Sequence, residues 1–105
     1  MKLITYITND NFEAEVLKSD KPVLLDFYAD WCGPCKIQGR ILDNLGPEFD
    51  GVKICKCNVD EAGDVAEKFG IQTIPTLMIF KGGEATNRVS GVTQAPGLMR
   101  LLGIN

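Results

Sequence analysis

Residues 23–36 read Val-Leu-Leu-Asp-Phe-Tyr-Ala-Asp-Trp-Cys-Gly-Pro-Cys-Lys, an apolar run that leads into two cysteines three positions apart. The nearly continuous run over residues 23–28 is typical of a central parallel strand covered on both faces. Apolar residues then recur at helical spacing, at Ile37, Ile41, Leu42, Leu45 and Phe49. This pattern predicts a helix that begins close to Cys32 and ends near Phe49.

The cysteine pair stands where the buried strand turns into this helix, a position that suits a reactive thiol. A helix N-terminus carries about half a positive charge and unpaired amides, so it stabilises a thiolate at Cys32. Cys35 lies about one helical turn further on, where it can form a disulfide with Cys32 or resolve a mixed disulfide. Pro34 fixes the backbone at the start of the helix.

Strands and helices alternate in the rest of the first half of the chain. Residues 3–7 predict a strand. Asp10 and Glu13 have the spacing of a capping box, for a helix that ends near Ser19. Residues 52–59 predict another strand, and Asp60 is expected to cap the helix that follows it.

In the second half of the chain, the pattern of alternating strands and helices gives way to two consecutive strands. Residues 76–80 and 85–90 flank Lys81-Gly82-Gly83-Glu84 and predict an antiparallel hairpin. Thr93 is expected to cap a last helix. Residues 1–105 are therefore predicted to be a single α/β domain, in which a mixed sheet of about five strands is flanked by four helices in the order βαβαβαββα.

Composition agrees with one ordinary soluble domain and narrows the chemistry. The 105 residues are 45% hydrophobic, enough for one core without disulfide or metal staples, so the four cysteines are free for chemistry. The chain has no histidine, which excludes Cys-His and Ser-His nucleophile pairs and histidine-ligated metals. Proton transfer near neutral pH must use Asp, Glu, Lys or Cys with a shifted pKa.

The charge distribution and the N-terminal sequence predict neither a charged binding surface nor a targeting segment. The net charge of -3 is scattered, which indicates neither a nucleic-acid site nor a basic membrane face. The N-terminus reaches Thr8-Asn9-Asp10 before any apolar stretch long enough for a signal peptide or a membrane span. The expected location is the cytoplasm, where a Cys-x-x-Cys pair is catalytic or metal-binding more often than structural.

Several motifs together give a family resemblance. They are the run 26–36, Asn58-Val59-Asp60, Phe69-Gly70-Ile71, Ile74-Pro75-Thr76, Phe80-Lys81-Gly82-Gly83 and Gly91. Their joint pattern covers almost the whole chain and resembles the thioredoxin family. The resemblance implies the thioredoxin fold and a general protein disulfide reductase, a monomer without bound cofactor or metal. The Cys32 thiolate would attack a substrate disulfide, Cys35 would resolve the adduct, and thioredoxin reductase would recycle the oxidised pair.

The resemblance also implies a docking surface beside the dithiol. In the family the peptide bond before the Ile-Pro-Thr proline is cis, so Ile74-Pro75 would present backbone groups to an extended substrate. Trp31, Gly33, Pro34 and Gly91 match the rest of that flat, apolar surface. Without the resemblance, Pro75 would be read as a trans proline at a strand entry, because few X-Pro bonds are cis.

Asp26 bears on the mechanism because it interrupts the apolar strand. Desolvation of a carboxylate there raises its pKa, which makes Asp26 a candidate proton acceptor for Cys35. Lys56 matches the family lysine that approaches this carboxylate, and its charge opposes the desolvation effect. The alternative is an Asp26 carboxylate held in a salt bridge.

Cys55 and Cys57 call for a metal test, because with the first pair they nearly match a zinc-ribbon spacing. In a strand both side chains point to one face and Lys56 to the other, so we expect two structural cysteines in the layer opposite Asp26. A redox-regulatory thiol is the first alternative, and a four-cysteine metal site the second.

Gly39-Arg40 departs from the family, whose members commonly have a proline near the middle of this helix. The helix is expected to be less bent but flexible at Gly39, since glycine destabilises a helix interior less than proline does. We expect this departure to bear on the choice of partners and not on the dithiol chemistry. A catalytically silent binding module is the alternative to a reductase, and the intact set of Cys32, Cys35, Asp26 and Lys56 disfavours it. The Gly-Pro dipeptide between the cysteines, without histidine, favours the reducing direction.

Overall fold

The computed structural model describes residues 3–104, so the predicted domain limits at Met1 and Asn105 lie outside the described residues. The strands are β1 (Ile4–Ile7), β2 (Val23–Tyr28), β3 (Lys53–Asn58), β4 (Thr76–Lys81) and β5 (Glu84–Ser90). The helices are a π-helix (Glu13–Leu17), α1 (Gly33–Asp43), a 3-10 turn (Pro47–Phe49), α2 (Gly63–Lys68) and α3 (Ala95–Leu102).

The strands form one mixed sheet in the order β1-β3-β2-β4-β5. The first three strands of that order are parallel, and β4 pairs antiparallel with both β2 and β5. The predicted α/β class, the five-stranded mixed sheet and the terminal hairpin are confirmed. β2 is the middle strand, which explains its continuous apolar sequence.

Side chains of β2 alternate between two apolar layers. Val23, Leu25 and Phe27 face a layer closed by Val16 of the π-helix and Val65 of α2. Leu24 faces the other layer, which is closed by α1, the 3-10 turn and α3. Asp26 shares the parity of Leu24 and therefore points to the side covered by α1 and α3.

The helix predicted to run from Cys32 to near Phe49 is wrong in its second half. Helix α1 ends at Asp43, and Gly46 is extended with φ -81° and ψ -175° before the 3-10 turn begins at Pro47. A residue that precedes proline is pushed out of the helical region, which explains the break. Leu45 and Phe49 still pack in the same apolar layer as Leu42.

All three predicted helix caps are wrong. The π-helix ends at Leu17, close to the predicted end near Ser19, but its N-cap residue Phe12 makes no side-chain cap hydrogen bond. Thr8 closes the preceding turn instead of Asp10, because its hydroxyl accepts hydrogen bonds from the Asp10 and Asn11 amides. Neither Asp60 nor Thr93 is an N-cap residue, since α2 follows Ala62 and α3 follows Gln94, and neither of these two residues makes a side-chain cap hydrogen bond.

Between Leu3 and Ile104, no helix combines the length and the apolar character that crossing a lipid bilayer requires.

Candidate active site

The dithiol lies at the N-terminus of α1, immediately after the middle strand. Cys32 is the N-cap residue, with an extended backbone at φ -90° and ψ 112°. Its sulfur is disulfide-bonded to Cys35, with 5.2 Å between the two Cα atoms. The Cys35 amide points at the Cys32 sulfur, at a nitrogen–sulfur distance of 3.2 Å. After reduction, this amide and the helix dipole both favour a thiolate on Cys32.

The Ile74–Pro75 loop faces this disulfide, and its peptide bond is cis. The Ile74 carbonyl oxygen lies 3.9 Å from the Cys32 sulfur, and the Ile74 side chain packs against the cluster of Ala29, Cys32 and Cys35. The Gly91 amide donates a 2.8 Å hydrogen bond to the Pro75 carbonyl. Gly91 has φ 92°, a backbone conformation that favours glycine. The dithiol, Ile74, Pro75 and Gly91 are therefore brought together.

Trp31, Gly33 and Pro34 form an exposed rim beside the disulfide. The Trp31 side chain is 72% exposed, although aromatic residues usually bury most of their surface. Its indole nitrogen donates a 2.9 Å hydrogen bond to an Asp60 carboxylate oxygen. The aspartate predicted to cap a helix thus holds the indole at the surface.

Asp26 is fully buried in β2, and neither of its carboxylate oxygens has a hydrogen-bond partner. Lys56 is its neighbour in register on β3. Burial raises the pKa of Asp26 from 3.8 to about 7, and the positive charge of Lys56 opposes that rise. The salt-bridge alternative is not what the structure contains.

Lys56 is half-buried, pairs in register with Asp26 and borders the same cleft as Cys35. Its ammonium nitrogen stands 4.3 Å from the centre of the Tyr28 ring, a cation–π contact. Lys56, Tyr28 and Cys35 line one small cleft of about 160 Å³. A Cβ atom on Gly39 would come within 3.3 Å of the Lys56 ammonium, so a glycine in α1 leaves room for this charge.

Cys55 and Cys57 are buried free cysteines in the layer that also holds Phe12, Phe27 and Phe80. As predicted, they face away from Asp26. Burial raises the pKa of each thiol to about 11; the charge of Lys53 opposes the rise at Cys55, and the charges of Glu15 at Cys55 and of Asp26 at Cys57 add to it. Among the described residues, no three or more Cys, Asp or Glu side chains are grouped to hold a metal ion.

We expect Cys55 and Cys57 to resist alkylation in the folded, reduced protein, because the reactive species is a thiolate and both thiols are buried. Iodoacetamide at pH 7.5 should label Cys32 rapidly and leave Cys55 and Cys57 unmodified until denaturant is added. Peptide mass mapping measures the order of labelling. Labelling of Cys55 or Cys57 as fast as Cys32 would contradict a packing role.

Sequence reasoning missed Gln38 in α1. Its side chain is 0% exposed, and its amide makes two hydrogen bonds with the backbone of Thr93. The available signal was a polar residue on the buried stripe of α1, three positions after Cys35 and four before Leu42.

Comparison with known proteins gives a consistent match. A family model described as Thioredoxin matches residues 3–103. Thioredoxin 1 of Nostoc sp. is 43% identical over 103 residues, covering 97% of this chain and 96% of that protein. Thioredoxin of Rickettsia felis is 45% identical over 94 residues, covering 89% of this chain and 90% of that protein. Thioredoxin of Pseudomonas aeruginosa is 42% identical over 103 residues, covering 97% and 95%.

These matches extend over nearly the whole chain and agree with the geometry of the Cys32–Cys35 pair at the start of α1. Thioredoxins are disulfide oxidoreductases, and the pair at disulfide distance supports the role of a dithiol electron carrier. The chain belongs to the thioredoxin family.

Proposed function

We propose that the chain reduces protein disulfides by two successive thiol–disulfide exchanges. The Cys32 thiolate attacks one sulfur of the substrate disulfide, forms a mixed disulfide and releases the other sulfur as a thiolate. Cys35 then attacks the Cys32 sulfur, which releases the second substrate sulfur and closes the Cys32–Cys35 disulfide. The substrate gains two electrons, which the dithiol loses. The substrate sulfurs leave as thiolates and take their protons from solvent, and the single proton that the dithiol gives up is the one on Cys35. The observation that carries this proposal is the Cys32 sulfur at the helix N-terminus, 3.2 Å from the Cys35 amide.

Asp26 is proposed to accept the proton that Cys35 loses in the second exchange. A pKa of about 7 leaves a large fraction of the carboxylate ionised at neutral pH, where it can act as a base. Its unpartnered oxygens support this role, because no other group competes for the proton. Lys56 is proposed to keep the carboxylate ionised, and the cleft it shares with Cys35 supports a link between the two groups.

The substrate chain is proposed to dock across Trp31, Gly33, Pro34, Ile74, Pro75 and Gly91. Exposure of Trp31 beside a nearly buried disulfide supports this docking, since a flat apolar rim lets an extended strand reach Cys32. The Ile74 carbonyl oxygen, 3.9 Å from the Cys32 sulfur, supports backbone contact with the residues next to the substrate cysteine.

The proposed partners are disulfide-containing proteins and a thioredoxin reductase that recharges the dithiol. Residues 1–105 are proposed to act as a single monomeric domain without bound cofactor or metal and without nucleic-acid or membrane partners. A protein that delivers electrons to disulfides would work in the cytoplasm, where thiols are kept reduced.

Reduction of insulin tests the proposal. With catalytic amounts of the chain, a thioredoxin reductase and NADPH, we expect NADPH oxidation that depends on both insulin and the chain. A ferredoxin-linked reductase should be tried in parallel, because the electron source is a separate question. The Cys32→Ser variant is the matched control and should be inactive. If dithiothreitol-reduced protein with titratable Cys32 and Cys35 fails to reduce insulin, the chain is a binding module.

A further inference from the structure

The segment after β5, residues 91–93, is held at one end by Pro75 of the site and at the other by a side chain of α1. At Gly91 the backbone amide donates to the Pro75 carbonyl, with 2.8 Å between nitrogen and oxygen. At Thr93 the backbone is held by the Gln38 side chain from α1. The Thr93 amide donates to Gln38 Oε1 at 2.7 Å, and Gln38 Nε2 donates to the Thr93 carbonyl at 3.0 Å.

Gln38 therefore pairs with Thr93 as a neighbouring strand would, with one donor and one acceptor. The orientation of the amide is unambiguous, because the Thr93 amide must face an oxygen and the Thr93 carbonyl must face an NH₂ group. Between Leu3 and Ile104, Gln38 is the partner that the structure shows for both backbone groups of Thr93.

Because Gln38 is buried, loss of its hydrogen bonds to Thr93 would have a large free-energy cost. Gln38 is 0% exposed and neighbours Leu42 on the buried stripe of α1, so an unpaired amide there would be costly. Removing the Gln38 side chain would also leave the Thr93 amide and the Thr93 carbonyl without their hydrogen-bond partner. Loss of the partner of a buried polar group costs more than a typical hydrogen bond contributes.

The segment that Gln38 holds is also part of the proposed docking surface. Gly91 borders Pro75, and Val92 is one of the few exposed large apolar residues, at 39%. An extended substrate gains affinity when the backbone it meets is already in place, because ordering a loop on binding has an entropic cost. Gln38 ties this backbone to the helix that carries the dithiol.

We propose that Gln38 is a positioning residue, which holds residues 91–93 in the conformation that receives an extended protein substrate. The proposal rests on the docking surface given under the proposed function. Gln38 takes no part in the thiol–disulfide exchange and does not contact the substrate in the proposed docking. Its effect is selective, since a protein disulfide uses the loop and a small aromatic disulfide does not. The dithiol thereby favours protein disulfides over small ones.

The test compares Gln38→Met and Gln38→Leu with the unmodified chain on two substrates. Both variants keep a side chain of similar size and lose both hydrogen bonds to Thr93. We expect KM for insulin to rise about tenfold, with kcat for insulin and the rate with 5,5′-dithiobis(2-nitrobenzoate) unchanged. Hydrogen exchange of the Thr93 amide, followed by NMR, should be slow in the unmodified chain and fast in both variants.

Leu42→Ala is the matched control. Leu42 lies on the same buried stripe of α1, so this variant destabilises the same helix. The apolar cluster around Leu42 does not include residues 91–93. The two activities of this variant should change together. A Gln38 variant with unchanged KM for insulin, or with equal losses on both substrates, would overturn the positioning role. An unmodified chain that shows no preference for insulin would instead refute the docking surface on which the role depends.

Discussion

Replacing Cys35 with serine should stop turnover and leave substrate covalently attached to Cys32. The first exchange needs only the Cys32 thiolate, which the helix N-terminus still stabilises. The second exchange needs a thiol at position 35, and a serine hydroxyl is not ionised near neutral pH. With insulin or another disulfide protein in excess, one substrate chain should accumulate per molecule of variant. Non-reducing mass spectrometry measures the adduct, which dithiothreitol should release.

Three controls separate this result from nonspecific capture. Cys32→Ser should form no adduct, because the nucleophile is gone. Cys55→Ser and Cys57→Ser should turn over normally, since both residues lie in the apolar layer that faces away from Asp26. Sustained multiple turnover by Cys35→Ser would show that a different thiol resolves the mixed disulfide. The trapped adducts also identify natural substrates when the variant is exposed to cell extract.

The Asp26→Asn variant should be more stable than the unmodified protein at neutral and alkaline pH. A rise of the Asp26 pKa from 3.8 to about 7 means that ionisation of the folded protein is resisted by roughly 4 kcal/mol. Asparagine removes this cost because it never ionises. The expected gain is therefore as large as a substantial fraction of the stability of a typical domain.

The sign follows from proton binding in the folded and unfolded states. Between about pH 4 and pH 7 the folded chain holds a proton on Asp26 that the unfolded chain has released. The stability of the unmodified protein falls with rising pH across this window and then levels off. The difference between Asp26→Asn and the unmodified protein should be near zero at pH 4 and reach its maximum above pH 7. Urea unfolding of the oxidised proteins at several pH values measures it.

Asp20→Asn is the matched control, since Asp20 is exposed and its substitution removes one carboxylate without touching a buried site. Asp26→Asn should also slow resolution of the mixed disulfide at pH 7, by up to about 100-fold for a positioned base. Stopped-flow measurement of the second exchange tests this. An unchanged rate would remove Asp26 from the mechanism, and a pH-independent stability difference would mean that the carboxylate is not buried as described.

Local sequence patterns predicted a strand or helix correctly where the residues of that element alone specify its geometry. The strand at residues 23–28 and the helix that begins beside Cys32 were both predicted, because a continuous apolar run and a helical apolar stripe each specify one geometry. The faces of β3 were also predicted correctly. Strand alternation alone sends Cys55 and Cys57 into one layer and Lys56 into the other.

Local patterns failed where a polar side chain had another hydrogen-bond partner within reach. Asp60 was expected to cap α2 but accepts the Trp31 indole N–H, 29 positions away in the chain. Thr93 was expected to cap α3, but its hydroxyl donates to the Gly91 carbonyl two positions back, while its backbone pairs with Gln38, 55 positions away. A cap is one of several hydrogen bonds open to such a side chain, and the local sequence does not specify which of them the folded chain uses.

The features of the site can also be separated into those specified by contiguous sequence and those that depend on tertiary contacts. The amino-acid order already contains the reactive dithiol, because the strand, the two cysteines and the helix N-terminus are contiguous in residues 23–36. The order also predicts that burial raises the pKa of Asp26, but it does not decide between an unpaired carboxylate and a salt bridge. The tertiary structure decides this, because the carboxylate is fully buried without a hydrogen-bond partner and the Lys56 ammonium packs over the Tyr28 ring. The role of Gln38 likewise exists only once α1 and residues 91–93 are packed together, because desolvation and long-range hydrogen bonding are properties of the folded chain.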